Sequence, residues 1–103
     1  MIDLPYTSIR IKNVRVKNHV LTGIEIELPN APNLVLLRGD KGFVMCGYLN
    51  IDVCEKLGLV AAMVTGVKTV DDLLDAEIKA ATSKAEELGI TPGKKVYEII
   101  DLI

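Results

Sequence analysis

Between Leu34 and Asp52 the chain reads LVLLRGDKGFVMCGYLNID, and nowhere else do so many chemically capable side chains fall so close together. The turn Arg38-Gly39-Asp40-Lys41-Gly42 could face an anion, with Arg38 and Lys41 supplying positive charge and the glycines letting backbone N–H groups approach it. The same residues also make an ordinary polar hairpin turn, with glycine where a positive φ is needed. Neither a GxGxxG nor a GxxxxGK[ST] pattern follows, so no nucleotide-binding signature favours the first reading. Asn50 and Asp52 stand where a strand runs into a helix, where they either cap the helix or rim a site whose free N–H groups suit an anion. Thr65-Gly66 ends the next apolar run and could close the same crevice.

Cys46 and Cys54 invite a catalytic or metal reading. A nucleophilic thiol needs a base or a positive field, and the one histidine, His19, lies in a distant turn. A zinc site needs four ligands at recognisable spacing, which Cys46, Cys54, Asp52 and His19 do not show, so no metal and no cofactor are expected. Buried small hydrophobes explain both cysteines, with Cys46 the residue to name if there is a nucleophile at all. Asp71, Asp72, Asp75 and Glu77 form an acidic cluster, but Asp71 and Asp72 sit in the first turn of a helix, where negative charge suits the macrodipole.

These groups depend on the elements that hold them. Ser8 to Val16 reads as a strand whose apolar parity slips, Ile9 and Ile11 being odd and Val14 and Val16 even. Either a bulge lies near Asn13 or the two halves bury opposite faces. Its charges Arg10, Lys12, Arg15 and Lys17 read as a wet strand face. After the turn Lys17-Asn18-His19, a second strand buries Val20, Thr22, Ile24, Ile26 and Leu28 and leaves Leu21, Gly23, Glu25 and Glu27 wet, completing a hairpin. Pro29 and Pro32 in PNAPN stop the ladder and mark an internal boundary.

A second hairpin follows, with strands over 34–37 and 43–49 that are apolar on both faces and so lie centrally. Asn50 or Asp52 caps a short helix through Leu57, with Asp52 and Glu55 at capping-box spacing. Leu59 to Val64 is a buried strand, parallel to its predecessor if the two pair. Thr69 then caps a long helix whose inward stripe is Val70, Leu73, Leu74, Ile78, Ala81, Ala85 and Leu88, ended by Gly89. Thr91-Pro92 opens a final helix with Val96, Ile99, Ile100 and Ile103 inward.

With 103 residues one domain is expected, residues 1–103, divided into a β region over 1–30 and an α/β core over 31–103. Half of the residues are hydrophobic, only Phe43 and three Tyr are aromatic, and the mean hydropathy is +0.33. That is more apolar surface than one small domain usually hides, which points to burial between copies; Ile9, Ile11, Val14 and Val16 offer apolar groups on both faces of the first strand, so residues 1–30 are expected to build a homotetramer or at least a dimer. A net charge of -2 gives no basic footprint for nucleic acid. No apolar stretch approaches the roughly 20 residues of a membrane span. The opening MIDLPYTSIR shows no charged segment leading into an apolar one, and the two cysteines are not a CxxC pair, so a cytoplasmic location with reduced thiols is expected.

Over Ala31 to Leu74 the chain resembles the YunC-like family, a bacterial and archaeal domain of unknown function. The shared pattern is an apolar strand, Arg38, Gly39 and Gly42, the CGYLN segment Cys46 to Asn50, a short helix, then Ala61, Ala62, Gly66 and Val67 before a longer helix. The resemblance implies an N-terminal β region that mediates tetramer formation and an α/β remainder, and it implies no activity. Leu59 departs from the pattern, standing where many relatives carry a polar residue.

The expected fold is therefore α+β, an oligomerising antiparallel hairpin followed by a mixed core with a short helix and two C-terminal helices. The leading function is binding of a small ligand or a protein partner, with Arg38, Asp40, Lys41, Asn50, Asp52 and Thr65 as binding residues. The rival readings are an enzyme acting on an anionic small molecule in that region, with Cys46 as nucleophile, and a scaffold. At least two of the three chain reversals, near Arg38, Asn50 and Thr65, are expected to share one crevice, within one chain or completed by a neighbouring subunit, with Arg38 or Lys41 supplying its positive charge.

Overall fold

The computed structural model describes residues 8–103, so the first seven residues of the expected oligomerising region lie outside the described residues. β1 (Ile9–Val16) and β2 (His19–Leu28) form an antiparallel hairpin turning at Lys17 and Asn18, both at positive φ. Such a two-residue turn matches the right-handed twist of the strands it joins. The register runs unbroken from Ile9↔Ile26 to Val16↔His19, so the parity slip in β1 makes no bulge. Arg10, Lys12, Val14 and Val16 turn toward the half-buried face, whereas Ile9 and Ile11 are 51% and 71% exposed.

The face assignment expected for β2 is corrected: Leu21, Gly23 and Glu25 are buried, and Ile24 and Ile26 look to the other, half-covered side. The cause is a buried carboxylate with three donors. Glu25, 1% exposed, accepts a 2.7 Å hydrogen bond from the Val70 N–H and one of 2.9 Å from Arg10 Nε, and pairs with Lys12 Nζ at 3.0 Å. Burial pushes its pKa up, but these donors outweigh burial and hold it at about 2, below the ordinary 4.5. Arg10 and Lys12 are thus the partners of a core charge, not a wet strand face.

A tight turn at Pro29 and Asn30 leads into β3 (Ala31–Arg38), so PNAPN does not end the ladder. Leu28 pairs with Ala31 and Ile26 with Leu34, which leaves Pro32 and Asn33 opposite Glu27 alone. A bulge is one of the few places a strand accepts proline. β4 (Phe43–Met45) pairs antiparallel with β3 and stops short of Leu49; α1 (Ile51–Lys56) then leads to β5 (Ala61–Met63), which is parallel to β4.

The long helix expected from Thr69 to Gly89 is three elements: α2 (Val70–Leu74), the short strand β6 (Ala80–Ala81) antiparallel to β5, and α3 (Ser83–Glu87). Thr82 explains the break. Its buried Oγ1 donates to Leu59 O at 2.6 Å and accepts from the N–H of Ala61 and of Ala85, tying the chain to β5 and capping α3. The helix expected from Thr91-Pro92 begins only at Val96, as a 3-10 helix (Val96–Leu102). Residues 93–96 are first engaged with Ala76 and Ile78 through backbone hydrogen bonds. The inward residues Val96, Ile99, Ile100 and Ile103 are buried as expected.

One mixed sheet in the order β1-β2-β3-β4-β5-β6 results. The main core runs from Leu21, Val35 and Leu37 to Val70, Leu73 and Ile99, and a smaller cluster of Met45, Cys54 and Ala61 lies under α1. The architecture is α+β. No helix among the described residues is long and apolar enough to cross a membrane.

Candidate functional site

Because β4 and β5 are parallel, both deliver their carboxyl ends to the same side of the sheet, the place where open α/β sheets hold ligands. Cys46, Gly47 and Tyr48 follow β4, and Thr65 to Lys68 follow β5. With Pro32 and Asn33 of β3 these residues line a crevice of about 460 Å³. That volume suits a small molecule. The walls are held by tertiary hydrogen bonds: Tyr48 OH donates to Pro32 O at 2.8 Å, and Asn33 Nδ2 donates to Lys68 O at 3.0 Å. A Cβ placed on Gly47 would lie 3.9 Å from Thr65 Cγ2, so the two loops face each other. Gly66 has a positive φ of 74°, and a Cβ there would meet nothing within 4 Å.

Cys46 sits at the floor of this crevice with 4% exposure. Its Sγ accepts a hydrogen bond from the Val35 N–H at 3.4 Å. His19 lines a different depression, beside Gly39, Asp40 and Lys41, and gives Cys46 no base. Cys54 belongs to the cluster under α1, whereas Cys46 belongs to the main core; both thiols are free.

The remaining candidates go elsewhere. Arg38, Asp40 and Lys41 line a separate depression of about 450 Å³ with Leu36, Phe43 and Leu49, beside the start of β4. The donors of that turn are already engaged: the N–H groups of Lys41 and Gly42 both bond Ile103 O, and that of Gly39 bonds Gly42 O. Its glycines are required by close packing, since a Cβ on Gly39 would strike Ile103 O and one on Gly42 would strike Val60 O. Asn50 is the cap of α1, its Oδ1 accepting from the N–H of Asp52 and Val53, and neither Asn50 nor Asp52 lines either depression. Glu55 does not close a box with Asp52. It reaches the hydroxyl and N–H of Ser83 at the start of α3, and these two donors lower its pKa.

Within one chain, of the three reversals expected to converge the crevice takes only Thr65, and it adds Cys46. Tyr48, Asn33, Val67 and Lys68 were missed by reasoning from the sequence. One signal could have found part of the set: a strand, a helix and a parallel strand in succession place the residues after each strand side by side.

Fold and crevice together define a small α+β protein with one mixed sheet and a pocket at the ends of its parallel pair. The chain belongs to the family described as Domain of unknown function (DUF1805), whose model matches residues 45–103. It is 35% identical over 96 residues to the uncharacterized protein YunC of Bacillus subtilis (strain 168), covering 89% of this chain and 94% of that one. It is also similar to the crystal structure of a protein of unknown function, TA1206, from Thermoplasma acidophilum, with a TM-score of 0.86, 36% identity and 91% of each chain covered.

Proposed function

We propose that this chain is a cytoplasmic, homo-oligomeric protein that binds a small molecule in the crevice at the carboxyl ends of β4 and β5. The observation that carries the reading is the crevice itself: loops from two parallel strands, pinned to β3 by Tyr48 and Asn33, frame an open, mostly apolar volume of ligand size. Cys46 and Thr65 line this crevice, whereas Arg38, Asp40 and Lys41 line a separate depression and Asn50 caps α1. Self-association is supported by the bare isoleucines of β1, and a cytoplasmic setting by two buried free thiols. A thermal-shift screen of metabolites tests the ligand. A compound that binds the folded chain raises its melting temperature by mass action, and Thr65→Phe, which fills the crevice, removes that rise. A rise that survives Thr65→Phe, or none across the screen, counts against the reading.

A further inference from the structure

The crevice offers backbone donors and acceptors alike, and one charged side chain. The backbone N–H groups of Gly47, Tyr48, Thr65, Gly66 and Val67 donate to no described residue. Of the carbonyls close by, Cys46 O accepts from the Leu49 N–H, Pro32 O from Tyr48 OH and Lys68 O from Asn33, whereas those of Gly47, Tyr48, Thr65, Gly66 and Val67 accept from no described residue, so the sign of the lining is set by its charged side chain. Lys68 is the one charged side chain in the lining, and it makes no ion pair with another described residue. Cys46, Val67 and the ring of Tyr48 make much of the wall apolar. Free N–H groups in successive loop residues, with a cation beside them, suit an acidic group on a ligand.

The 65–68 loop, Lys68 included, also borders a neighbouring depression, and there the chemistry reverses. Asp71, Asp72 and Asp75 line the neighbouring depression, and the Asp72 carboxylate accepts from the Lys68 N–H at 3.1 Å. Negative charge so close opposes every negative charge on a ligand, so the one lysine can offset a single acid group but not several.

Resting on the reading of the crevice as a ligand site, we infer that its occupant is a small amphipathic monoanion. It is an organic acid whose apolar body lies against Cys46, Val67 and Tyr48 and whose acid group meets Lys68 and the N–H groups of the 65–67 loop. Neither a polyanion such as a nucleoside triphosphate nor a neutral apolar compound fits as well.

The test is an amide-resolved NMR titration of the intact chain with phenylacetate, phenylacetamide and inorganic phosphate, repeated on Lys68→Gln. The expected result is that phenylacetate shifts the amides of Gly47, Gly66 and Val67 and binds about ten-fold more tightly than phenylacetamide, the worth of one charge-assisted contact. Lys68→Gln abolishes that preference while leaving phenylacetamide binding as it was, and phosphate shifts none of these amides. Phenylacetamide binding as tightly as phenylacetate at the same amides overturns the inference and leaves the ligand site standing. A preference that survives Lys68→Gln, or phosphate binding more tightly than phenylacetate, overturns it in the same way. If neither phenyl compound moves these amides, the inference and the ligand reading fall together.

Discussion

Glu25 concentrates more of the structure than any other side chain. It joins β1 to β2 through Arg10 and Lys12, and both to α2 through the Val70 N–H, from a position 1% exposed. Because its folded pKa is depressed to about 2 from an ordinary 4.5, the carboxylate contributes its full stabilisation above about pH 4.5, and that contribution is lost as pH falls through 2. A shift of this size corresponds to roughly 3 kcal/mol. Urea unfolding followed by circular dichroism should therefore show a midpoint that drops steeply between pH 4.5 and 2. Glu25→Gln should flatten that drop and cost about 2 kcal/mol at neutral pH, since Arg10 and Lys12 lose their charged partner. An unchanged acid slope in Glu25→Gln would assign the acid sensitivity to other carboxylates.

At the scale of elements, Thr82 decides whether residues 69–89 are one helix or two helices around a strand. Its hydroxyl serves Leu59 O, the Ala61 N–H and the Ala85 N–H, all in a buried setting. Thr82→Val keeps the volume and removes all three bonds, so it should destabilise the chain by about 2 to 3 kcal/mol, read as a lower urea midpoint. A loss under about 0.5 kcal/mol would mean that β6 and α3 do not depend on the hydroxyl. The same residue shows what the sequence could and could not carry. Helical spacing from Val70 to Leu88 looked continuous because α2 and α3 each bury apolar residues, while the extended segment between them also buries Ile78. Nothing in the spacing distinguishes a helical threonine from one that caps a second helix while bonding a strand more than twenty residues away. The two hairpins, the short α1 with its Asn50 cap and the parallel β4–β5 pair were legible, since each rests on local alternation, turn chemistry or connection length, whereas the β2–β3 pairing and β6 were not. The burial of Glu25 was not, because its partner at Val70 lies 45 residues on and local amphipathicity counts any glutamate as wet. The crevice was half legible for the same reason: Cys46 and Thr65 end strands, but Asn33, Tyr48 and Lys68 meet only through tertiary hydrogen bonds.

At the scale of the whole molecule, the sheet has one face finished at one end only. α1 covers Met45 and Ala61, with Leu36 packed beside them. The register carries the same face outward through Leu36↔Ile24, and Ile24 is itself opposite Ile11, while Ile26 is opposite Ile9. No described element covers that end, where Ile9 is 51% and Ile11 71% exposed and Val20, near the turn, is 55% exposed. An apolar strip continuous with a packed cluster is costly to leave wet, at roughly 25 cal/mol per Å². A second copy offers the same strip, and a two-fold arrangement would cover both at once. Light scattering on the intact chain at micromolar concentration should therefore give a dimer or a tetramer. Ile11→Lys combined with Ile24→Lys should reduce it to a monomer, because buried lysines without partners would not survive such an interface. The far-UV circular dichroism should stay the same, since Ile11 is mostly exposed within one chain and Ile24 half-buried. Val14 is the control: it turns to the half-buried inner face and packs against the main core, so Val14→Lys should damage folding and not selectively remove assembly. A monomeric parent chain, or a doubly substituted chain that still assembles, would mean that this face stays open to solvent and that the surplus hydrophobicity of the sequence is spent elsewhere.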